Sequence, residues 1–260
     1  MPRFAANLSM MFPEVELSQR FEAARKAGFR AVEYLRPYSD SVSDLQHYLK
    51  DAGVELILLN TPLGDRPGDR GVGALPGREA DFRLCFDQAL DYATQLGAGM
   101  VHVMAGIVPE GVSPDECERV FVANLRPVAD VAKAQGIKLL LEPLNTRDVP
   151  GYLHTHTADT RRIIEAVGSD NVFLQYDFYH MQIMQGDLVE TMQRNLDIIG
   201  HMQFSSLPGR NEPQHGEVNF EHVFAAIDAS GYRGWLGCEY RPKGDTLEGL
   251  SWGKPYGLGV

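Results

Sequence analysis

A short phrase recurs along this chain: the end of an amphipathic helix, a glycine, then an apolar run. It appears as KAGFRAVEYL, DAGVELILLN, QLGAGMVHVM, AQGIKLLLEP, AVGSDNVFLQYD and ASGYRGWLGCEY. Glycine suits the left-handed residue that closes a helix. The apolar run suits a strand buried on both faces, as in a parallel sheet covered by helices. The intervening helices carry one apolar face each. Leu17, Phe21 and Ala24 share it in the first, and Phe121, Leu125, Val128 and Ala132 in the fourth. The fourth opens with Ser113-Pro114-Asp115-Glu116, the pattern of a capping box with proline at the first helical position.

Eight strands are expected, near 4–10, 31–35, 55–60, 100–106, 138–144, 172–178, 201–206 and 235–240. Eight units divide the 260 residues into about 32 each, the size of a β/α unit in a closed barrel. An open doubly wound sheet alternates in the same way. The count of eight favours a single (β/α)8 TIM barrel over residues 1–260, with no linker or change of composition to divide it. The tail, 244–260, ends in SWGKPYGLGV and is too rich in glycine to predict a helix. The long segment after strand three, TPLGDRPGDRGVGALPGRE, is a candidate lid. Its glycines do not form G-x-G-x-x-G between strand and helix, which argues against dinucleotide binding.

Four successive strands end in an oxygen-bearing side chain: Glu142 in KLLLEPL, Asp177 in VFLQYDFYH, Gln203 in HMQFSS and Glu239 in WLGCEY. Singly, each has a bland reading: a solvated acid at a strand end, or a hydrogen-bonded core amide. Jointly they favour the barrel, whose chemistry sits at the carboxyl ends of its strands. Three carboxylates and an amide, with no equivalent cysteine or histidine, suit a hard divalent cation, Mg2+ or Mn2+, better than zinc. Calcium satisfies the ligand type as well. Two glutamates flanking a chelated substrate can pass a proton between neighbouring carbons while the metal stabilises an enediolate. That is aldose–ketose interconversion, or the same step on a hydroxy-oxo acid, with Glu142 and Glu239 as the catalytic pair.

Composition narrows the partners. A formal net charge of −11 repels phosphate backbones and anionic lipid surfaces, so neither nucleic acid nor membrane is expected as a partner. A small anionic substrate remains compatible, because a bound dication and local arginines reverse the field. Cys85, Cys117 and Cys238 have no metal-type spacing and read as free thiols of a reducing compartment. The start lacks the long apolar core of a signal peptide and no stretch reaches the ~20 apolar residues of a membrane span, so a cytoplasmic location is expected.

Five phrases make a more specific link: FAANLSMMF at the start, ALPGRE at 74–79, VHVMAG at 101–106, LPGRNEP at 207–213 and GWLGCEYRPKG at 234–244. With them the chain resembles the hydroxypyruvate isomerase family of xylose-isomerase-like barrels, nearly end to end. The resemblance implies a metal set of Glu142, Asp177, Gln203 and Glu239 and an acid/base pair of Glu142 and Glu239. It implies conversion of hydroxypyruvate to tartronate semialdehyde, or of 2-oxo-tetronate to 3-oxo-tetronate. His215 and Glu217 after strand seven, and PLNTRDVPGY after strand five, depart from the family pattern and leave substrate length open.

Further candidates for substrate contact are His102, His180, Arg210, Glu212 and Arg78. Arg210 in PGRNEP, or Arg78 in the long loop, can hold a carboxylate as a bidentate fork. Each has a bland alternative: a core histidine for His102, a carboxylate-orienting role for His180, solvation for the loop arginines. Glu33 reads as a further barrel acid or a structural partner outside the site. His154 and His156 have the spacing of a metal dyad but lack a third partner, and read as solvent-facing or loop-fixing. A homo-oligomer is compatible with barrels of this type. Three other readings compete: an epimerase using the same two-base geometry, a metal phosphodiesterase of the abasic-site endonuclease kind, and a non-catalytic sugar-acid binder.

Overall fold

The computed structural model describes residues 1–259. Eight strands run as β1 Arg3–Asn7, β2 Ala31–Glu33, β3 Glu55–Asn60, β4 Met100–His102, β5 Lys138–Leu141, β6 Val172–Asp177, β7 Ile199–Phe204 and β8 Trp235–Cys238. Each pairs in parallel with the next, and β8 closes on β1 through Arg3↔Trp235 to Ala6↔Cys238. The expected strands are present but mostly shorter. Glu142 and Glu239 fall one residue beyond β5 and β8, while Asp177 is the last residue of β6.

The helices are α1 Leu17–Lys26, α2 Val42–Ala52, α3 Glu79–Leu96, α4 Pro114–Ala134, α5 Thr157–Val167, α6 Phe178–Met184, α7 Leu188–Arg194, α8 Phe220–Ala229 and α9 Thr246–Gly249. The recurring glycines do what the phrase requires. Gly53, Gly97 and Gly168 close α2, α3 and α5 in the left-handed conformation, at φ of 65°, 73° and 72°. At the head of α4, Ser113 Oγ accepts the Glu116 backbone N–H at 3.2 Å and Pro114 is the first helical residue. Apolar faces of the helices pack on the outside of the barrel, Phe21 and Ala24 of α1 and Phe121, Leu125, Val128 and Ala132 of α4 among them. A smaller apolar plug of Ala5, Ala31, Ile57, Leu58 and Leu140 is contributed by the strands themselves.

Two expectations change. The tail is not wholly irregular: after α9, Leu250–Tyr256 forms a 3-10 helix. Trp252 anchors it, with its ring centroid 5.1 Å from Phe4, 5.4 Å from Phe204 and 5.7 Å from Phe224. Aromatic burial outweighs the glycine content. The candidate lid is also tied down along its second half. Gly73 and Ala74 donate their N–H groups to Met104 O and Ala105 O at 3.2 and 2.8 Å, and Val72 and Ala74 are buried. Gly71 passes so close to Met104 that a Cβ there would lie 2.5 Å from it.

Candidate active site

A polar residue stands at or within one residue of the carboxyl end of each of the eight strands: Asn7, Glu33, Asn60, His102, Glu142, Asp177, Gln203 and Glu239, in β1 to β8 order. The four expected as a metal set come together at the carboxyl end. Glu142, Asp177 and His180 each bring a side-chain nitrogen or oxygen within 4.8 Å of one another. Gln175 Nε2 bridges Glu142 Oε2 at 3.0 Å and Gln203 Oε1 at 2.6 Å. Arg210 Nη2 donates to Glu239 Oε2 at 2.9 Å and lies 3.7 Å from Asp177 Oδ2.

These acids are held in an electrostatically costly state. Burial, then the neighbouring Glu239 and Asp177 carboxylates, hold the Glu142 carboxyl well above the usual range. Burial and Glu239 push Asp177 up to about 8. Glu239 is raised by burial, against the pull of Arg210. Burial opposes the charge on Arg210, but the carboxylates of Glu239, Asp177 and Glu142 prevail and raise its pKa. Three acids thus share one guanidinium. Glu142 Oε1 and Asp177 Oδ2 are buried without a hydrogen-bond partner. Clustered, buried carboxyl oxygens without partners, whose charged forms burial disfavours, are what a divalent cation would relieve, and oxygen donors fit Mg2+ or Mn2+.

Local structure fixes each group. Asp177 ends β6 and also caps α6: its Oδ1 accepts the Tyr179 N–H at 2.9 Å, leaving Oδ2 for the site. His180 follows within the first turn of α6. Its Nδ1 accepts the Asn145 backbone N–H at 3.0 Å. Burial, then Arg210 and His102, push this imidazole well below its usual pKa. A neutral ring that accepts at Nδ1 carries its proton on Nε2. His180 Nε2, 3.6 Å from Asp177 Oδ2 and 3.8 Å from Glu142 Oε1, is therefore a donor aimed into the cluster, not a lone-pair ligand. His102 Nδ1 lies 3.3 Å from Glu142 Oε2, yet neither ring nitrogen completes a hydrogen bond. Burial and His154 push His102 down to about 3.

Arg210 enters from the segment after β7 with a left-handed backbone, φ 52°, uncommon for a side-chain-bearing residue. Its backbone is pinned on both sides, N–H to Ser206 O and O from Arg241 N–H, each at 2.8 Å. The guanidinium stacks on Tyr179 at 4.7 Å, and its Nε is unpartnered.

Two expected substrate residues make their polar contacts with other parts of the chain. Arg78 is spent on its own loop, pairing with Asp81, with Asp65 at 2.6 Å and with Asp69 at 3.3 Å. Three acids within that loop and its following helix claim it before any ligand does. Glu212 accepts the Lys243 N–H at 3.0 and 3.2 Å, tying the segment after β7 to the one after β8. His154 is buried, not solvent-facing; its Nδ1 meets Thr160 Oγ1 at 2.9 Å, which fixes the loop before α5.

The sequence reading missed Gln175, Asn7 and His201, and it left Glu33 aside. Gln175 had a signal: a lone amide inside the apolar run of β6. Glu33 is fully buried, and Asn7, His201 and Gln203 all converge on it.

Comparison with known proteins agrees with this architecture. A family model described as xylose isomerase-like TIM barrel matches residues 21–256. A 2-oxo-tetronate isomerase of Cupriavidus necator is 46% identical over 98% of this chain and 99% of its own length. A hydroxypyruvate isomerase of Escherichia coli is 42% identical over 98% of this chain and 100% of its own length. A Brucella melitensis crystal structure described as AP endonuclease, family 2, superposes with a TM-score of 0.96 at 44% identity, covering 98% of this chain and 99% of that one. The chain belongs to the xylose isomerase-like TIM-barrel family and is an enzyme of the isomerase class.

Proposed function

We propose that this enzyme is a metal-dependent isomerase of small hydroxy-oxo acids, converting hydroxypyruvate to tartronate semialdehyde or 2-oxo-tetronate to 3-oxo-tetronate. The observation that carries the reading is the trio of buried carboxylates Glu142, Asp177 and Glu239 around one arginine, two of them with orphaned oxygens. The names of the full-length relatives support the substrate class.

Glu142, Asp177, Gln203 and Glu239 would hold the cation. When bound, a divalent ion supplies the positive charge that gathers the oxygens of the substrate and stabilises the enediolate. The protein's own groups do the rest. Glu142 and Glu239 have carboxyl pKa values raised by burial. A raised carboxyl pKa suits a group that takes a proton from one carbon and a group that returns it to the next. Arg210, with its free Nε and its stack on Tyr179, offers a fork for the substrate carboxylate. His180 donates from Nε2 to a substrate oxygen, and His102 stands beside Glu142.

Proton NMR in heavy water, with hydroxypyruvate and 2-oxo-tetronate supplied separately, tests the reading. Isomerisation with deuterium entering the carbon next to the carbonyl is expected, abolished by chelator and restored by Mg2+ or Mn2+. Full turnover by a metal-free preparation, or no exchange with either acid, would overturn it. The description of the Brucella relative favours phosphodiester cleavage as a second reading. The net charge of −11 opposes it, and incision of abasic duplex DNA would establish it.

A further inference from the structure

A carboxamide can present either its oxygen or its nitrogen to a site, and only the oxygen can hold a cation. Gln203 is caught between two neighbours that allow one answer. On one side Gln203 Nε2 lies 2.8 Å from Glu33 Oε2, and a carboxylate accepts. On the other, Gln203 Oε1 lies 2.6 Å from Gln175 Nε2. Gln175 is itself oriented by Glu142, whose Oε2 takes the same amide nitrogen at 3.0 Å. The Gln203 oxygen therefore points to the Gln175 amide nitrogen that Glu142 also holds, and with two lone pairs it keeps one beyond that bond.

Glu33 is built in for this task. It is fully buried, and its two oxygens accept three donors: His201 Nε2 at 2.6 Å, Asn7 Nδ2 at 3.0 Å and Gln203. β8 gives way to it: any side chain at Gly237 would collide with Glu33 Oε1 and crowd Gln203 Cγ. An acid of this kind, enclosed by four strands and touching one expected ligand, determines how that ligand points.

We propose that Glu33 and Gln175 are positioning residues that lock the Gln203 carboxamide with its oxygen toward the acidic cluster, so that cation affinity depends on them. The inference rests on the metal site proposed above. Its test is titration with Mn2+ alone, following the free-ion EPR signal, beside the melting temperature of the metal-free protein. Wild type should bind. Glu33→Gln, whose amide no longer dictates which atom Gln203 presents, should weaken Mn2+ about 10- to 100-fold. Gln175→Met changes no charge and should weaken it in the same direction, which separates orientation from simple loss of a negative group. The double variant Glu33→Gln with Gln203→Glu offers an oxygen in either rotamer and should return affinity close to wild type. Unchanged Mn2+ affinity in Glu33→Gln and Gln175→Met, whatever their melting temperatures, would overturn the proposal while leaving the metal site standing. A wild type that binds no Mn2+ would overturn both.

Discussion

Glu33 and Glu142 are both glutamates buried inside one barrel, 0% and 4% exposed, yet the protein treats them in opposite ways. Glu33 sits among donors, with both oxygens satisfied by Asn7, His201 and Gln203. Glu142 sits among acids, with Oε1 orphaned and Asp177 and Glu239 raising its pKa further. Burial alone thus says little about role. The partners decide: a satisfied carboxylate organises its surroundings, while an unsatisfied one stores free energy that a ligand releases.

The largest expected break in this comparison is functional. Glu142→Gln or Glu239→Gln should lower turnover by at least about 10²-fold. The metal-free Glu142→Gln protein should melt no lower than wild type, because an acid leaves a crowded acidic cluster, whereas Glu239→Gln also takes a carboxylate from the buried Arg210. Differential scanning calorimetry beside the NMR assay reads both, and near-wild-type turnover in either variant would remove the two-base scheme. Next in size is a packing effect on the satisfied side. Gly237→Ala should cost about 1–3 kcal/mol in denaturant unfolding, because the new methyl group meets Glu33. A negligible cost would mean that Glu33 is loosely held.

The smallest effect concerns His154, buried and spent on Thr160 much as Glu33 is spent on its donors. Burial depresses its pKa from 6.5 to about 4. Below pH 6.5 the unfolded chain takes up a proton there that the fold refuses. The contribution is therefore whole above pH 6.5 and lost as pH falls toward about 4, with a slope of up to about 1.4 kcal/mol per pH unit. Unfolding free energies at pH 7 and 5.5 should show a shallower pH dependence in His154→Asn than in wild type. Equal slopes would mean that His154 titrates normally in the fold.

The sequence makes the barrel legible because its signals are local: a helix face, a closing glycine, an apolar run. It makes Glu142, Asp177, Gln203 and Glu239 legible because each interrupts or ends such a run. Glu33 hides because β2 is only three residues long and its partner His201 lies 168 residues away. No local pattern announces a contact across a barrel. The partners of Arg78 are hidden for the complementary reason. Its loop resembles a lid by composition, but the acids that claim it are identified only once the loop folds back.

Asp177 divides its carboxylate between helix and site, Oδ1 on the Tyr179 N–H and Oδ2 toward Glu142. A group tethered in this way cannot spin about its terminal torsion without unfastening a helix. One side of the cluster is therefore pre-set, and any ligand it meets would cost less side-chain freedom there than at an untethered acid. The same tether fixes the first turn of α6, where His180 sits, against the end of β6. The acid that faces Glu142 and the helix that carries His180 are thus joined through a single residue.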